Sequence, residues 1–140
     1  GDGGSDRLVG GLGDDTLVHS ASDFAGDSAA IDEDYLRGGA GSDNFVMINP
    51  EEINGTLAKI YQVRIEDFNR YEGDRVTLVG YENHEIALSE VDSDNIQTAQ
   101  IKSAGNTNES LTIYFDLSIV RDFDSAFNLR MSDFDKIEIA

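Results

Sequence analysis

A nine-residue pattern of glycines and an aspartate recurs near the start of this chain, and it constrains the fold more than any other feature. The segment "GGLGDDTLV" (residues 10–18) returns as "GGAGSDNFV" (38–46), and "GDGGSDRLV" (1–9) repeats it with an aspartate at the second glycine position. Glycine inside ordered structure costs roughly 0.5–1 kcal/mol relative to alanine, so glycines at fixed positions need a geometric reason. The pattern predicts a tight turn, used several times, in which only glycine fits.

The residues that follow each turn predict a very short strand. A large apolar residue stands between two other residues, at Leu8, Leu17 and Phe45. The two intact copies fill every defined position of the pattern G-G-x-G-x-D-x-U-x, in which U is a large apolar residue. Turns of this kind expose several carbonyl oxygens beside a carboxylate, which are the ligands that calcium prefers.

On these residues the chain resembles the RTX (hemolysin-type) family of calcium-binding repeats, found in proteins secreted by Gram-negative bacteria. The resemblance implies an all-β fold, a parallel β-roll in which Ca2+ lies between consecutive stacked turns and further short strands cap the roll. The metal-binding positions that it implies are Asp6, Gly11, Gly13, Asp15, Asp34, Gly39, Gly41 and Asp43.

The charge of the chain agrees with a role for cations. There are 28 acidic and 10 basic residues, which gives a net charge of −18. Such a chain repels nucleic acid and anionic membranes, and it repels itself when compact, so bound cations would favour folding. No cysteine is present, which excludes disulfides and thiolate metal sites. No apolar run approaches the roughly 20 residues of a membrane span.

The spacing between the two intact repeats allows two interpretations. Asp15 and Asp43 are 28 residues apart, one more than three nine-residue repeats. In the first, two degenerate repeats fill the gap, and the intact turns lie on opposite sides of the roll. In the second, residues of about 19–34 form one enlarged turn, and the turns at 10–15 and 38–43 stack directly. We favour the second, because it places two intact half-sites against each other.

The rest of the chain reads as short strands with period-two alternation. We expect residues 1–48 to form the repeat roll and residues 49–140 to cap it within the same domain, since a repeat array needs a cap. The alternative is a separate small sandwich tethered to the roll. The expected inward set, continuous with Leu8, Leu17, Leu36 and Phe45, is Val63, Ile65, Val76, Leu78, Ile113 and Phe115. The sequence leaves open whether residues 122–134 contain a short helix.

A second segment extends the resemblance. Residues 63–80, "VRIEDFNRYEGDRVTLVG", resemble the segment that follows the repeats in secreted serralysin-type metalloproteases, lipases and alginate (mannuronan) C5-epimerases, and the length resembles an epimerase R-module. This implies a non-catalytic module that folds on extracellular calcium and supports type I secretion of an attached N-terminal catalytic module. No HExxH or GxSxG motif argues for catalysis within the chain itself.

An alternative function is to hold an anionic polysaccharide such as alginate for an attached enzyme. It rests on a basic strip of four residues, Lys59, Arg64, Arg70 and Arg75. The competing interpretation, which we favour, pairs this strip with its acidic neighbours, Glu66, Asp67, Glu72 and Asp74. A second acidic group, Asp122, Asp124, Asp133 and Asp135, suggests either a further calcium site or a solvated acidic face, and we favour the latter.

Overall fold

The protein is built mostly of β-strands and contains little helix. The computed structural model describes residues 7–20, 33–48, 60–81, 84–103 and 106–137, and the account below concerns those residues. The first six strands are β1 (Arg7–Leu12), β2 (Thr16–Ser20), β3 (Glu33–Ala40), β4 (Asn44–Ile48), β5 (Ile60–Ile65) and β6 (Arg75–Val79). The last four are β7 (His84–Leu88), β8 (Ile96–Ser103), β9 (Asn106–Asp116) and β10 (Phe134–Ile137). This confirms the all-β class.

The strands form two sheets, and the chain alternates between them. The large sheet has the order β1-β3-β5-β9-β8-β7, and the small sheet has the order β10-β6-β4-β2. Strands β1, β3, β5 and β9 are parallel, as are all four strands of the small sheet. Strands β7 and β8 break the alternation, because they add antiparallel to β9 within the large sheet. Each pass of the chain, β1–β2, β3–β4 and β5–β6, places one strand in each sheet, so equivalent residues of successive passes lie side by side.

One apolar core lies between the two sheets. All six residues expected to point inward from the later strands are buried, and they join Leu17, Leu36 and Phe45 in a single cluster against which Leu8 packs. The parallel register explains this continuity, since Leu17 pairs with Phe45 and Phe45 with Val76. Within the described residues, the later strands thus pack into the same apolar cluster as the repeat region.

The short helix considered for residues 122–134 does not form. The α-helix α1 (Ser118–Arg121) ends before this segment, which carries one 3-10 turn at Met131–Asp133. A side-chain hydrogen bond competes with helix here, because the Asp124 carboxylate accepts from the backbone N–H of Ala126 at 3.1 Å. Phe127 and Leu129 are buried at alternate positions, which suits an extended chain and not a helix.

Candidate metal site

The strand register brings the two intact glycine turns together. Gly11 pairs with Gly39 across β1 and β3, and Thr16 pairs with Asn44 across β2 and β4. The backbone N–H of Gly13 donates to the carbonyl of Ala40 at 2.9 Å, so the turns themselves are bonded. This is the stacked arrangement of the second interpretation. The residues assigned to the enlarged turn lie mainly outside the described residues.

Two glycines of the second turn are required by close packing. Gly39 and Gly41 have φ of 93° and 124°, in the left-handed region that favours glycine. A Cβ atom at Gly39 would collide with the carbonyl oxygen of Gly11, and one at Gly41 with that of Gly13. The carbonyl oxygens of the first turn therefore point at the second turn, and the glycines leave room for them.

A ladder of three aspartates crosses the stacked turns. The backbone N–H of Asp15 donates to Asp43 Oδ1 at 2.9 Å, and the N–H of Asp43 donates to Asp74 Oδ1 at 2.9 Å. Asp74 Oδ2 accepts in turn from the N–H of Asn69 at 2.9 Å. The sequence analysis did not assign Asp74 to this site. The one feature that could have indicated it is the "GD" pair at Gly73, which stands in a segment without the nonapeptide pattern.

Each of the first two aspartates keeps one oxygen without a partner. Asp15 Oδ2 and Asp43 Oδ2 are buried and accept no hydrogen bond. A Cβ atom at Gly10 would lie 2.5 Å from Asp15 Oδ2 and 2.6 Å from the carbonyl oxygen of Gly38, so these two oxygens face the same small space. A buried charged oxygen without compensation is costly, and a bound cation or a proton removes this cost.

The burial of these carboxyl groups changes their titration. Desolvation raises the pKa of Asp43, and the negative charges of Asp15, Asp67 and Asp14 raise it further. Desolvation likewise raises the pKa of Asp74 to about 7, with smaller contributions from Asp43 and Asp67. Without a counter-ion this site therefore holds its protons more tightly than isolated carboxylates do.

On the side away from the first turn, the second turn is hydrogen-bonded to Asp67, a carboxylate of the next pass. Asp67 Oδ1 accepts from the backbone N–H of Gly38 at 2.9 Å, and Oδ2 accepts from that of Gly39 at 2.8 Å. Asp14 Oδ1 makes a similar bond with the N–H of Ser42 at 2.9 Å. The sequence drew attention to Asp67 only as part of an acidic segment, not as a ligand of the glycine turn.

The remaining predicted metal residues lie elsewhere. Asp6 is outside the described residues. Asp34 stands near the start of β3, on the far side from the glycine turns, and its Oδ2 lies 2.7 Å from Nδ1 of the buried His19. Among the described residues there is no group of three or more His, Cys, Asp or Glu side chains that could hold a metal ion. A cation at the turns must therefore take most of its ligands from backbone carbonyls.

The acidic group near the end of the chain is neither a metal cluster nor simply solvated. Asp133 is buried and accepts from Arg70 Nη1 at 2.8 Å. Asp135 pairs with Arg75 at 2.6 Å. The expectation of a solvated acidic face is therefore wrong for Asp133, whereas the side chain of Asp135 stays about half exposed while it pairs with an arginine from a distant segment.

The same contacts change the interpretation of the basic strip. The expectation that Arg70 and Arg75 pair with near neighbours in sequence is wrong, since their partners are Asp133 and Asp135. Arg64 lies on the outer face of the large sheet, with its guanidinium 5.8 Å from the ring centre of Tyr114. Lys59 is outside the described residues. Two of the four bases are thus already neutralised by carboxylates.

Comparison with known proteins gives no family assignment. No family model matches the chain, and no curated protein or solved structure matches it. Within the described residues no helix is long and apolar enough to cross a membrane.

Proposed function

We propose that this chain is a non-catalytic, calcium-binding RTX module that folds as a parallel β-roll. The observation that carries the proposal is the pair of stacked turns with two buried, unpartnered carboxylate oxygens, Asp15 Oδ2 and Asp43 Oδ2. Calcium takes six to eight oxygen ligands in flexible geometry, which suits a space lined by carbonyls and few carboxylates. The residues that would hold the ion are Gly11, Gly13, Asp15, Gly39, Gly41 and Asp43.

The alternation of β1 to β6 between the two sheets, with parallel pairing in each, supports the β-roll. Each of these three passes contributes one strand to each sheet, and the glycine turns join β1 to β2 and β3 to β4. The third pass has residues 66–74 at the equivalent place, where Asp67 occupies the N–H groups of Gly38 and Gly39. The proposed calcium site therefore lies between the first and second turns.

The cellular role follows from the metal chemistry. A net charge of −18 keeps the chain expanded where calcium is scarce, and bound calcium removes repulsion and drives folding where it is abundant. We propose that the module is secreted from a Gram-negative bacterium by a type I system and stabilises an attached N-terminal catalytic module. The anionic-polysaccharide alternative draws less support, since Arg70 and Arg75 are engaged in ion pairs.

Isothermal titration calorimetry with calcium tests this function. We expect Asp15→Ala and Asp43→Ala each to weaken calcium binding at least tenfold, and the double variant to be much less impaired than the sum of the two losses, because both residues serve one site. Asp94→Ala, which removes the same charge from an exposed turn, is the matched control and should bind as the parent does.

Two results would contradict the proposal. One is the absence of calcium binding by the parent chain. The other is equal binding of magnesium, because magnesium demands a compact octahedron and keeps its water, which carbonyl-rich turns do not satisfy. Additive losses in the two single variants would instead show that Asp15 and Asp43 serve separate sites.

A further inference from the structure

A polar groove lies on the outer face of the large sheet, away from the glycine turns. Its volume is about 630 Å3, within the range of small-molecule sites. Strands β5, β9 and β8 form its floor, and the end of β7 forms one wall. The lining residues are Gln62, Ala87, Leu88, Ser89, Thr98, Gln100, Thr112 and Tyr114.

The polar side chains of this groove stand in a regular row. Gln62 pairs with Thr112 across β5 and β9, and Thr112 pairs with Gln100 across β9 and β8. Tyr114 and Thr98 form a second, parallel pair beside them. Because neighbouring strands are about 4.8 Å apart, the row from Gln62 through Ala87 extends over about 14 Å.

These side chains have spare hydrogen-bonding capacity. Within the described part of the chain, the side chains of Gln62, Gln100, Thr112 and Tyr114 make no hydrogen bond with another group of the protein. Amides and hydroxyls both donate and accept, so the row offers donors and acceptors at fixed spacing. The ring of Tyr114 is half-buried and adds an aromatic surface, with Arg64 beside it.

The residues that line the groove carry no formal charge, although the guanidinium of Arg64 lies beside the ring of Tyr114. None of its eight lining residues is ionisable at neutral pH, although the chain as a whole carries a net charge of −18. That net charge repels polyanions. A peptide strand would pair with a free sheet edge, whereas the floor strands β5, β9 and β8 are hydrogen-bonded on both sides.

From these features we infer that the outer face of the large sheet binds an uncharged oligosaccharide. Sugar hydroxyls match the donor and acceptor pattern of Gln62 and Gln100, and the C–H face of a pyranose ring matches the ring of Tyr114. The open shape of the groove suits a segment of a longer chain. This inference does not depend on the proposed calcium site.

The test is an NMR titration of the 15N-labelled, calcium-saturated protein with neutral hexasaccharides. The probes are cellohexaose, laminarihexaose, maltohexaose and mannohexaose, with a hexameric oligouronate as the anionic comparison. We expect at least one neutral probe to shift the amide signals of β5, β8 and β9 and to saturate. Gln62→Ala and Gln100→Ala should each weaken that binding at least fivefold, and the double variant more than twentyfold.

Controls separate a specific site from a general effect. Lys102→Ala changes an exposed residue of β8 outside the groove and should leave the affinity unchanged. Tyr114→Phe keeps the ring and should weaken binding less than Tyr114→Leu, which removes the aromatic surface but keeps an apolar side chain for folding. Failure of every neutral probe to bind, or binding of the oligouronate alone, would overturn the inference, and the dispersion of the spectrum shows in each case that the protein is folded.

Discussion

At the scale of single residues, the unusual feature of this protein is a set of carboxyl groups buried where little neutralises them. Asp43 and Asp74 are each 2% exposed, and Asp43 keeps one oxygen without a hydrogen bond. Burial of a charged oxygen costs free energy unless a hydrogen bond, a proton or a cation compensates for it. The same residues therefore support the proposed binding of a cation and predict an unusual dependence on pH.

The raised pKa of Asp74 predicts that the calcium-free protein loses stability as the pH rises. The folded-state value is about 7 against an ordinary value of 3.8, so the folded state binds the proton more tightly than the unfolded state does. This contribution is fully present below pH 4 and is lost as the pH passes through about 7, a change on the order of 3 kcal/mol. The far-UV circular dichroism of calcium-free protein at pH 5 and pH 8 measures it, and the β signal should be greater at pH 5.

The Asp74→Asn variant is the control for this pH dependence, because an amide does not titrate. It should lose most of the difference between the two signals that the parent shows. A β signal that increases from pH 5 to pH 8 in the parent, or an equal pH dependence in the variant, would show that Asp74 is not the group responsible.

At the scale of elements, the second glycine turn is held from both sides. The first turn contributes the carbonyl oxygens that require Gly39 and Gly41, and Asp67 binds the N–H groups of Gly38 and Gly39. A carboxylate that accepts two backbone N–H bonds is a strong and specific anchor. The turn after β3 is therefore fixed on the Asp67 side without a metal, whereas its contact with the first turn leaves the two aspartate oxygens unpaired.

Replacement of Asp67 tests this anchor. Asp67→Ala removes two charge-assisted hydrogen bonds and should cost about 2–3 kcal/mol in the free energy of unfolding, measured by urea denaturation in saturating calcium. Asp67→Asn keeps one acceptor oxygen and should fall between the parent and the alanine variant. An alanine variant as stable as the parent would mean that water replaces the carboxylate at no cost.

Much of this arrangement could be predicted from local patterns, and the rest could not for a physical reason. The spacing of the two intact repeats left two interpretations open, and the favoured one predicted that the turns at 10–15 and 38–43 stack. Period-two alternation predicted the inward residues of the later strands. The ion pair between Arg70 and Asp133 joins residues 63 positions apart, and no periodic pattern in the sequence indicates it. Asp74 completes the aspartate ladder through strand register alone, since no glycine pattern precedes it. Local sequence thus specifies repeated geometry, and long-range register specifies the partners.

At the scale of the whole molecule, the repeat region and the later strands share one core. Phe115 of β9 lies at its centre and is fully buried, with its ring centre 5.5 Å from that of Phe68 and 5.9 Å from that of Phe134. Strands β5 and β6 cover the edges that β3 and β4 would otherwise expose. Folding of the glycine turns and folding of the later strands are therefore expected to be coupled.

Truncation of Phe115 tests this coupling at a distance from the turns. Phe115→Ala should cost roughly 3–5 kcal/mol, the range for removal of a buried aromatic side chain. It should also lower the apparent calcium affinity, although Phe115 contacts no predicted ligand, because binding and folding are linked. Phe123, which is 86% exposed, is the matched control, and Phe123→Ala should change stability by less than about 0.5 kcal/mol. A destabilised Phe115→Ala variant with the calcium affinity of the parent would show that folding of the glycine turns is not coupled to folding of the later strands.

The most direct test of a calcium-dependent fold is the far-UV circular dichroism of the whole chain while calcium is removed and then returned. We expect a large loss of β signal as EDTA is added at neutral pH, because the net charge and the buried carboxylates then oppose folding. Millimolar calcium should restore the signal, and the same concentration of magnesium should not. A spectrum that is unchanged in excess EDTA would contradict the claim that calcium is part of this fold.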